Sequence, residues 1–433
     1  MVKSLLANYP RGANVRGVHW SGSTHHKNVA DLQPVMAWLQ AAKISWVKLL
    51  DDGYGSSLAL CGELLRLGII PVVRVYRHRP NPGIINYREL DTIKKLVAIG
   101  VRYVETNNEP NLPDEWSEGL WEKGGSPEVV AGHWLLDSKM VIEAGGLPAI
   151  PALAQCSLHG DSSSIRWYER FFGWLHDTKH GATEELLHNG VWLATHGAAL
   201  NHWYADNTGW HFEYPYDPRN QKDHPGATVF QDDNSLMGYT VATKILASEW
   251  KVQIPVISTE GGIFTPTSNN GQFDDPRYGR YDEMGHGVGT VAMFEWLGKR
   301  PEYFGMCPWL LGNRALGHVT DQWAEASWIR DDGRWLYVAD LLVATPAPVP
   351  PTPVPTKPLN DAVLDRAYDM MLVPRNPNTA LYKKAKELNL GAPLTNEEQI
   401  EYSGVRYIMQ PFAGGVLYVK VDDWGNVKFL SWR

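Results

Sequence analysis

Between Gly17 and Leu310, short β-rich apolar runs alternate with longer stretches of helical period, and this alternation restricts the fold more than any other feature. Eight strand candidates are present: Gly17 to Trp20, Trp46 to Leu50, Ile69 to Arg77, Tyr103 to Asn107, Leu147 to Ala154, Ala199 to Tyr204, Val256 to Thr259 and Tyr303 to Leu310. Between them lie helix candidates Val35 to Ala42, Ser57 to Leu67, Leu90 to Ile99, Pro127 to Ala144, Ile165 to Asp177, Ser235 to Trp250 and Glu283 to Leu297, in which apolar residues recur at three and four. Asn234 or Ser235 is a candidate N-cap for the sixth of these, and Gly100 a candidate C′ glycine for the third. Strands separated by helices make a parallel sheet, and eight such units favour a closed (β/α)8 barrel over an open doubly wound sheet. No GxGxxG follows the first run, where Arg16-Gly17-Val18-His19-Trp20 leads into Ser21-Gly22-Ser23.

The 433 residues exceed what a barrel of roughly 250 residues needs, so an appendage is expected. Its boundary is a stretch from Ala344 to Pro358 in which proline alternates so densely that neither helix nor sheet can persist, predicting a stiff extended spacer. The expected layout is an α/β barrel over 1–343, a linker over 344–358 and a small α+β domain over 359–433. That domain opens with helical stretches Asp361 to Leu372 and Thr379 to Leu388. Strand-like runs Tyr407 to Gln410, Val416 to Val421 and Val427 to Trp432 follow, the last two joined by the turn Asp423-Trp424-Gly425-Asn426.

Composition excludes several function classes. A net charge of −8 gives no reason to expect a nucleic-acid partner. No apolar run approaches the roughly 20 residues that span a bilayer, and Met1 to Ala7 is too short for a secretory h-region, so no membrane partner and no signal peptide are expected within this sequence. Cys61, Cys156 and Cys307 are an odd count without CxxC spacing, which indicates small buried hydrophobes rather than disulfides or a zinc site. The adjacent pair His25-His26 cannot easily converge on one ion, and no metal or cofactor is expected. Tryptophan is abundant at 19; such flat rings suit sugar faces but equally fill large barrel cores.

In a (β/α)8 barrel the chemistry sits at the carboxyl ends of the strands, so polar groups closing an apolar run are the place to look. The fourth run reads Tyr103-Val104-Glu105-Thr106-Asn107-Asn108-Glu109-Pro110-Asn111, and Pro110 predicts an extended conformation for Glu109 at the rim. The seventh reads Val256-Ile257-Ser258-Thr259-Glu260-Gly261-Gly262. Strands four and seven face each other across a closed barrel, so these two carboxylates can share one centre. Glycosidic cleavage requires such a pair, one to protonate the departing oxygen and one to attack the anomeric carbon.

Asn108-Glu109-Pro110 together with Glu260 resembles clan A of the glycoside hydrolases, the 4/7 retaining superfamily of cellulases, mannanases, xylanases and related β-glycosidases. The resemblance covers roughly residues 10 to 340. It implies Glu109 as acid/base, Glu260 as nucleophile and Asn108 on the 2-hydroxyl of the sugar in the −1 subsite. His202-Trp203-Tyr204 is similar to the His-x-Tyr of family 5 cellulase-like enzymes, which implies Tyr204 on the nucleophile and His202 in the subsite. Trp309 matches the aromatic platform under that sugar. The chain departs from the pattern in having Asn107 where tryptophan often stands, and Gly261-Gly262 after the nucleophile.

Other rim residues carry two readings each. Arg74 alternates with Val73 and Val75 and so points into the barrel, either forking onto Glu260 or pairing with Glu105; Arg77 is a second candidate for the same part. His19, Trp20, Lys48, Asp51 and Asp52 either contact hydroxyls or cap and pair locally, and His196 and His318 fall on the same face without motif support. Trp116, Trp121, Trp210, Phe264, Phe273 and Trp323 lie on separate loops, lining an extended cleft for an endo-acting enzyme or packing beneath their loops.

The sequence thus leads to an expected retaining β-glycoside hydrolase whose partner is a β-linked glycan. The small domain either holds the enzyme on polysaccharide or cell wall or simply docks, and the Pro-Thr linker suggests secretion. Two alternatives are a transglycosylase and a non-catalytic carbohydrate-binding or cell-wall protein on the same scaffold. A metal-dependent lyase or aldolase would need ligand clusters or a Schiff-base lysine, for which Lys48 is the one candidate.

Overall fold

A computed structural model describes residues 2–121, 126–156, 160–268, 275–317, 321–349 and 378–432. The chain divides into two compact units, Val2–Pro351 and Thr352–Arg433.

The first unit is the expected barrel. Its strands are β1 (Gly17–His19), β2 (Trp46–Asp51), β3 (Ile70–Val75), β4 (Tyr103–Glu105), β5 (Leu147–Ile150), β6 (Trp192–Ala198), β7 (Val256–Gly262) and β8 (Tyr303–Met306). They lie side by side in chain order, all parallel. A parallel bridge between Arg16 and Met306 closes the ring, reinforced by His19 N–H donating to Pro308 O at 3.1 Å and Leu311 N–H to His19 O at 2.7 Å. Each strand is followed by a helix: α1 (Gln33–Ala41), α2 (Leu58–Arg66), α3 (Tyr87–Ala98), α4 (Pro127–Glu143), α5 (Ser164–Asn189), α6 (Thr240–Glu249), α7 (Glu283–Gly298) and α8 (Tyr337–Ala344). None of the helices among the described residues is long and apolar enough to cross a membrane.

Local chemistry accounts for many of these boundaries. A capping box opens α3, where the Asn86 side chain accepts from the Arg88 and Glu89 amides while Glu89 reaches back to the Asn86 N–H. Gly100 follows that helix at φ +109°, as expected. The expected cap at Asn234 or Ser235 is corrected: α6 begins only at Thr240, without a side-chain cap, because 235–239 first form tight turns.

The sixth strand needs a larger correction. It is Trp192–Ala198, not Ala199 to Tyr204. Residues 199–203 form turns, and Tyr204–Asp206 pairs with Gly209–His211 as a separate two-stranded ribbon.

Inside the barrel the first layer comes from alternate strands, with Trp46 on β2, Tyr103 on β4, Trp192 on β6 and Phe304 on β8. Ring centroids lie 5.4 Å apart for Trp46 and Tyr103, 5.5 Å for Tyr103 and Trp192, and 6.4 Å for Trp46 and Phe304. Two residues further along β2 and β4, Lys48 and Glu105 also face inward and form a fully buried ion pair. Such a pair survives burial only if its remaining valences are met, and the Thr259 hydroxyl supplies one, donating to Glu105 at 2.7 Å. This aromatic and ionic filling is the floor on which the mouth of the barrel stands.

Ala344, placed in the linker by the sequence, is the last residue of α8. The buried Arg16 guanidinium donates to the carbonyls of Leu342, Thr345 and Pro346, tying the start of the proline stretch to the barrel. Residues 350–358 of the linker and the helix expected over Asp361 to Leu372 lie outside the described residues. Cys61 and Cys307 are buried and Cys156 partly so, all three as free thiols.

The second unit contains α9 (Ala380–Glu387) and an antiparallel sheet of β9 (Glu398–Tyr402), β10 (Val405–Phe412), β11 (Gly415–Lys420) and β12 (Lys428–Leu430), paired in that order. Leu381 and Ala385 pack on Phe412, Leu417 and Val419. The hairpin turn at Asp423 to Asn426 falls where the sequence placed it, whereas β9 was not anticipated.

Candidate active site

Glu260 lies within β7, and its orientation depends on an irregularity. Ser258 pairs with Thr195 and Glu260 with His196, so β7 has one residue too many at Thr259. This bulge breaks the strict alternation of a strand. Thr259 can therefore reach inward to Glu105 while the next residue, Glu260, faces the mouth. Ser258 pins the bulge, its hydroxyl donating to Glu260 O at 2.8 Å and accepting from Gly197 N–H at 2.9 Å.

The two glycines after Glu260 have steric reasons. Gly261 has φ +102°, and a Cβ there would stand 2.5 Å from the Gly197 carbonyl; Gly262 has φ +76°, and a Cβ would lie 2.8 Å from Pro308. The departure from the family pattern thus serves the close packing of β7 between β6 and β8.

Glu109 follows β4 with φ +36°, which corrects the extended conformation expected before Pro110. The left-handed turn is held by Glu109 N–H donating to Ala152 O at 3.0 Å and by Leu112 N–H donating to Glu109 O at 2.9 Å. Asn111 anchors the same loop, exchanging hydrogen bonds with both Ala154 backbone groups at 2.8 and 2.9 Å.

One imidazole connects the two carboxylates. His196 Nδ1 shares a hydrogen bond of 2.7 Å with Glu109 Oε1, and His196 Nε2 lies 3.8 Å from Glu260 Oε1. Arg74 Nη1 donates to the same Glu260 oxygen at 3.1 Å and to Asn108 Oδ1. Of the two readings of Arg74, the structure has the one on Glu260, because Lys48 already occupies Glu105. Arg77 is elsewhere, donating to Thr106 O at 2.5 Å.

These contacts set the protonation states. Burial works against a charged Glu260, but His196 and Arg74, with smaller contributions from His19 and Lys48, outweigh it and hold the carboxyl well below the usual carboxylate range. Burial likewise disfavours the His196 imidazolium, yet Glu260 and Glu109 raise its pKa above the free value. His19, at the end of β1 with Nε2 3.7 Å from Glu260 Oε1, is pushed far down by burial against the pull of Glu260, with Lys48 and Arg74 adding to the effect.

Glu115 is a third carboxylate here. Its pKa is raised by burial and by Glu109 and Glu260, while Arg74 and a hydrogen bond from Asn108 oppose the rise. The buried Asn81 side chain places it, donating to Asn108 O at 2.8 Å and Glu115 O at 3.0 Å. A cavity of about 120 Å³ bordered by Arg74, Arg77, Asn108, Asp114 and Glu115 opens alongside.

The β8 side supplies aromatic surface. The Trp309 backbone N–H donates to Gly261 O at 3.1 Å, and the ring centroid of Trp309 is 4.4 Å from His19 and 5.3 Å from Trp323, which is 41% exposed. Gly22 lies under both indoles, where a Cβ would meet Trp323 at 3.3 Å and Trp309 at 3.6 Å.

Three expected site residues are not brought to this centre. Trp20 has no exposed surface and belongs to the hydrophobic core, because alternation on β1 turns His19 inward and the next residue away. Tyr204 lies in the ribbon beyond β6, its ring stacked on His211 at 4.5 Å and covered by the Arg219 guanidinium at 3.7 Å, so it does not take the expected place on Glu260. His202 stacks on Tyr214 at 3.8 Å and bonds Asn234 O at 2.7 Å, which accounts for it as a loop anchor. The histidine that reaches the site from β6 is His196.

Among the remaining rim residues, Asp51 caps the start of α2 through the amides of Gly53, Gly55 and Ser57. Trp116, Trp121 and Trp167 pack on one another beneath their loop, and Trp210 packs on Trp203 and Phe212. Phe273 and His318 lie outside the described residues. No group of three or more His, Cys, Asp or Glu side chains arranged for a metal ion occurs among the described residues.

No protein-family model matches the chain, and no curated protein matches it. Among solved structures, the chain is similar to an endo-β-1,3-glucanase of GH128 subgroup II from Pseudomonas viridiflava, at 15% identity and a TM-score of 0.44 over 77% of this chain and 98% of that one. It is similar to a GH5_18 protein from Streptomyces cattleya in complex with Manb1-4GlcNAc, at 14% identity and a TM-score of 0.44 over 78% and 83% of the two chains. It is also similar to CJP38, a β-1,3-glucanase and allergen of Cryptomeria japonica pollen, at 10% identity and a TM-score of 0.42 over 79% and 100%. The (β/α)8 assignment rests on the strand order and closure described above.

Proposed function

We propose that the barrel is a retaining β-glycoside hydrolase that cleaves a β-linked glycan by double displacement. The observation that carries this reading is the line Glu109, His196, Glu260, in which two carboxylates from opposite strands address the two nitrogens of one imidazole. Glu260, held ionised by Arg74 and His196, is the nucleophile. Glu109, hydrogen-bonded to His196 Nδ1 at 2.7 Å, is the acid/base, and the proton of its carboxyl is the one given to the departing oxygen.

In the first step that proton passes to the glycosidic oxygen while a Glu260 oxygen attacks the anomeric carbon. The bond to the leaving group breaks, and a glycosyl ester forms on Glu260. In the second step the Glu109 carboxylate takes a proton from water, the water oxygen attacks the same carbon, and Glu260 departs as carboxylate. The exposed Trp323 meets Trp309 edge to face, with an interplanar angle of 84°, and adds a second aromatic surface beside the site, which supports endo action on a chain of sugars. Exposed Tyr402 and Trp424 on the second unit suit a polysaccharide-holding role, and the reading as a whole fits an enzyme working outside the cell.

The test is Glu260→Ala assayed on β-glucans, mannans, xylans, galactans and aryl β-glycosides. Turnover should vanish, and azide should restore it as a glycosyl azide of inverted configuration. A variant that keeps full activity would overturn the assignment.

A further inference from the structure

A groove of about 900 Å³ lies wholly within the second unit, bordered by α9 and by the turn that joins β11 to β12. Helix α9 forms one wall. It buries Leu381 and Ala385 against Phe412, Leu417 and Val419, and the neighbouring stripe Ala380, Lys383, Lys384 and Glu387, at the three- and four-residue spacing of one helix face, borders the groove. The turn forms another wall, closed by Asn426 N–H donating to Asp423 O at 3.0 Å, and it carries Trp424. Asp423, Gly425 and Asn426 are turn formers, whereas tryptophan brings the turn no conformational advantage. Its indole is 49% exposed, and among the described residues it has no aromatic, cationic or hydrogen-bonding partner. Trp432, similarly exposed at 52%, differs in that its indole N–H is tied to Phe412 O at 2.9 Å.

What such a groove can hold follows from its lining. Its volume lies in the range of about 300–1,000 Å³ usual for ligand sites. Lys383 and Lys384 are balanced by Glu387 and Glu397, and Lys384 is already paired with Glu387 at 2.7 Å, so the charges select neither a polyanion nor a polycation. Lys383 and Glu397 remain as a donor and an acceptor. A flat apolar ring beside groups that both donate and accept is the complement of a sugar, which offers an apolar C–H face and a rim of hydroxyls.

We propose that this groove is a second glycan-binding site, separate from the barrel centre, in which an uncharged sugar chain lays the apolar face of one ring on Trp424 and directs its hydroxyls to Lys383 and Glu397. The inference rests on the polysaccharide-holding role read above for the second unit and deepens it by fixing the place, the stacking ring and the charge of the ligand; Tyr402 does not border the groove. Two glycan sites on one chain hold the enzyme on a polymer more tightly than either alone, without any new contact at the barrel.

The experiment measures adsorption of the full chain, carrying Glu260→Ala so that the polymer survives, to insoluble β-glucan, mannan and galactan, with polygalacturonate and chitosan gels as the anionic and cationic counterparts. At least one uncharged glycan should bind, and adding Trp424→Ala should lower its partition constant at least about tenfold, as truncation of a central tryptophan does. Trp424→Tyr, which keeps a flat ring, should lose no more than about threefold. Thermal unfolding identifies a variant that has lost its fold; should Trp424→Ala do so, Trp424→Gln takes its place with the same expected loss. No adsorption by the parent, or adsorption of Trp424→Ala within about twofold of the parent on every uncharged glycan, would overturn the inference. So would a loss confined to the charged polymers, which would make the ligand ionic. None of these results touches the barrel: turnover of soluble aryl β-glycosides by wild type tests the glycosidase reading by itself, and its absence would overturn that reading while Trp424-dependent adsorption still upheld the groove.

Discussion

Replacing Arg74 by methionine removes the closest cation to Glu260 while keeping most of the side-chain volume. Both side chains are largely shielded, at 9% and 18% exposure, and the charged atoms are 3.1 Å apart. At an effective dielectric of about 20, unit charges at 3.1 Å attract by about 5 kcal/mol, which bounds the effect from above. His196 and Lys48 still supply positive charge in the variant, so the rise in the Glu260 pKa should fall within the roughly 1–3 units typical of a carboxylate beside a guanidinium. At about 1.4 kcal/mol per unit this is roughly 1.4–4 kcal/mol, or about 10- to 1,000-fold in the ionised fraction of Glu260 on the acid limb, with little change near neutral pH, where the carboxyl stays ionised in both proteins. The sign is fixed: without Arg74 the carboxyl protonates more readily, so the acid limb of the kcat/KM profile moves to higher pH by the same 1–3 units. Arg74→Lys, which keeps the charge and loses the fork, should move it by less than half as much. The assay is kcat/KM against pH on the best substrate of the panel. An acid limb in Arg74→Met that coincides with wild type, with activity within twofold, would refute the electrostatic role given to Arg74.

Two further outcomes are expected. Gly261→Ala combines a positive φ with a Cβ 2.5 Å from the Gly197 carbonyl, so it should lower stability by more than the about 1–3 kcal/mol of backbone strain alone, read as a fall in denaturant midpoint; an unchanged midpoint would mean the β6–β7 spacing is not what requires glycine. His196 has a raised pKa in the folded state, so its pairing stabilises the fold fully below the unfolded value of about 6.5 and that contribution is lost as pH rises through the folded value. The stability gap between wild type and His196→Gln should accordingly be larger at pH 5.5 than at pH 9, and a gap independent of pH would exclude a charged His196.

The barrel and its two glutamates were legible because both signals are local. Apolar runs of strand length separated by helical period name the architecture, and a carboxylate closing such a run is displayed at the mouth by the fold itself. The supporting residues were less legible because they depend on register. Trp192–Ala198 carries Thr195, His196 and Gly197, which interrupt the apolar run that marks a strand, yet every residue of β6 is buried in the ring of strands. Shifting that strand seven residues late gave His202 and Tyr204 a role that His196 occupies. The bulge at Thr259 left no mark except the glycines after it, and Glu115 stands in the site only because Asn81, on a loop far away in sequence, bonds its carbonyl. Trp20 fell on the wrong side for a simpler reason: of two adjacent residues on one strand, only one can face the centre.

The most direct test of the account is covalent capture of the glycosyl-enzyme. Wild type is incubated with 2-deoxy-2-fluoro-β-glycosyl fluorides of the sugars in the panel, digested, and the labelled peptide sequenced by mass spectrometry. The account predicts one adduct per chain, attached to Glu260 in the peptide containing Ser258-Thr259-Glu260-Gly261, and a first hydrolysis product of retained β configuration. An adduct on another residue, or a first product of inverted configuration with no adduct at all, would contradict it.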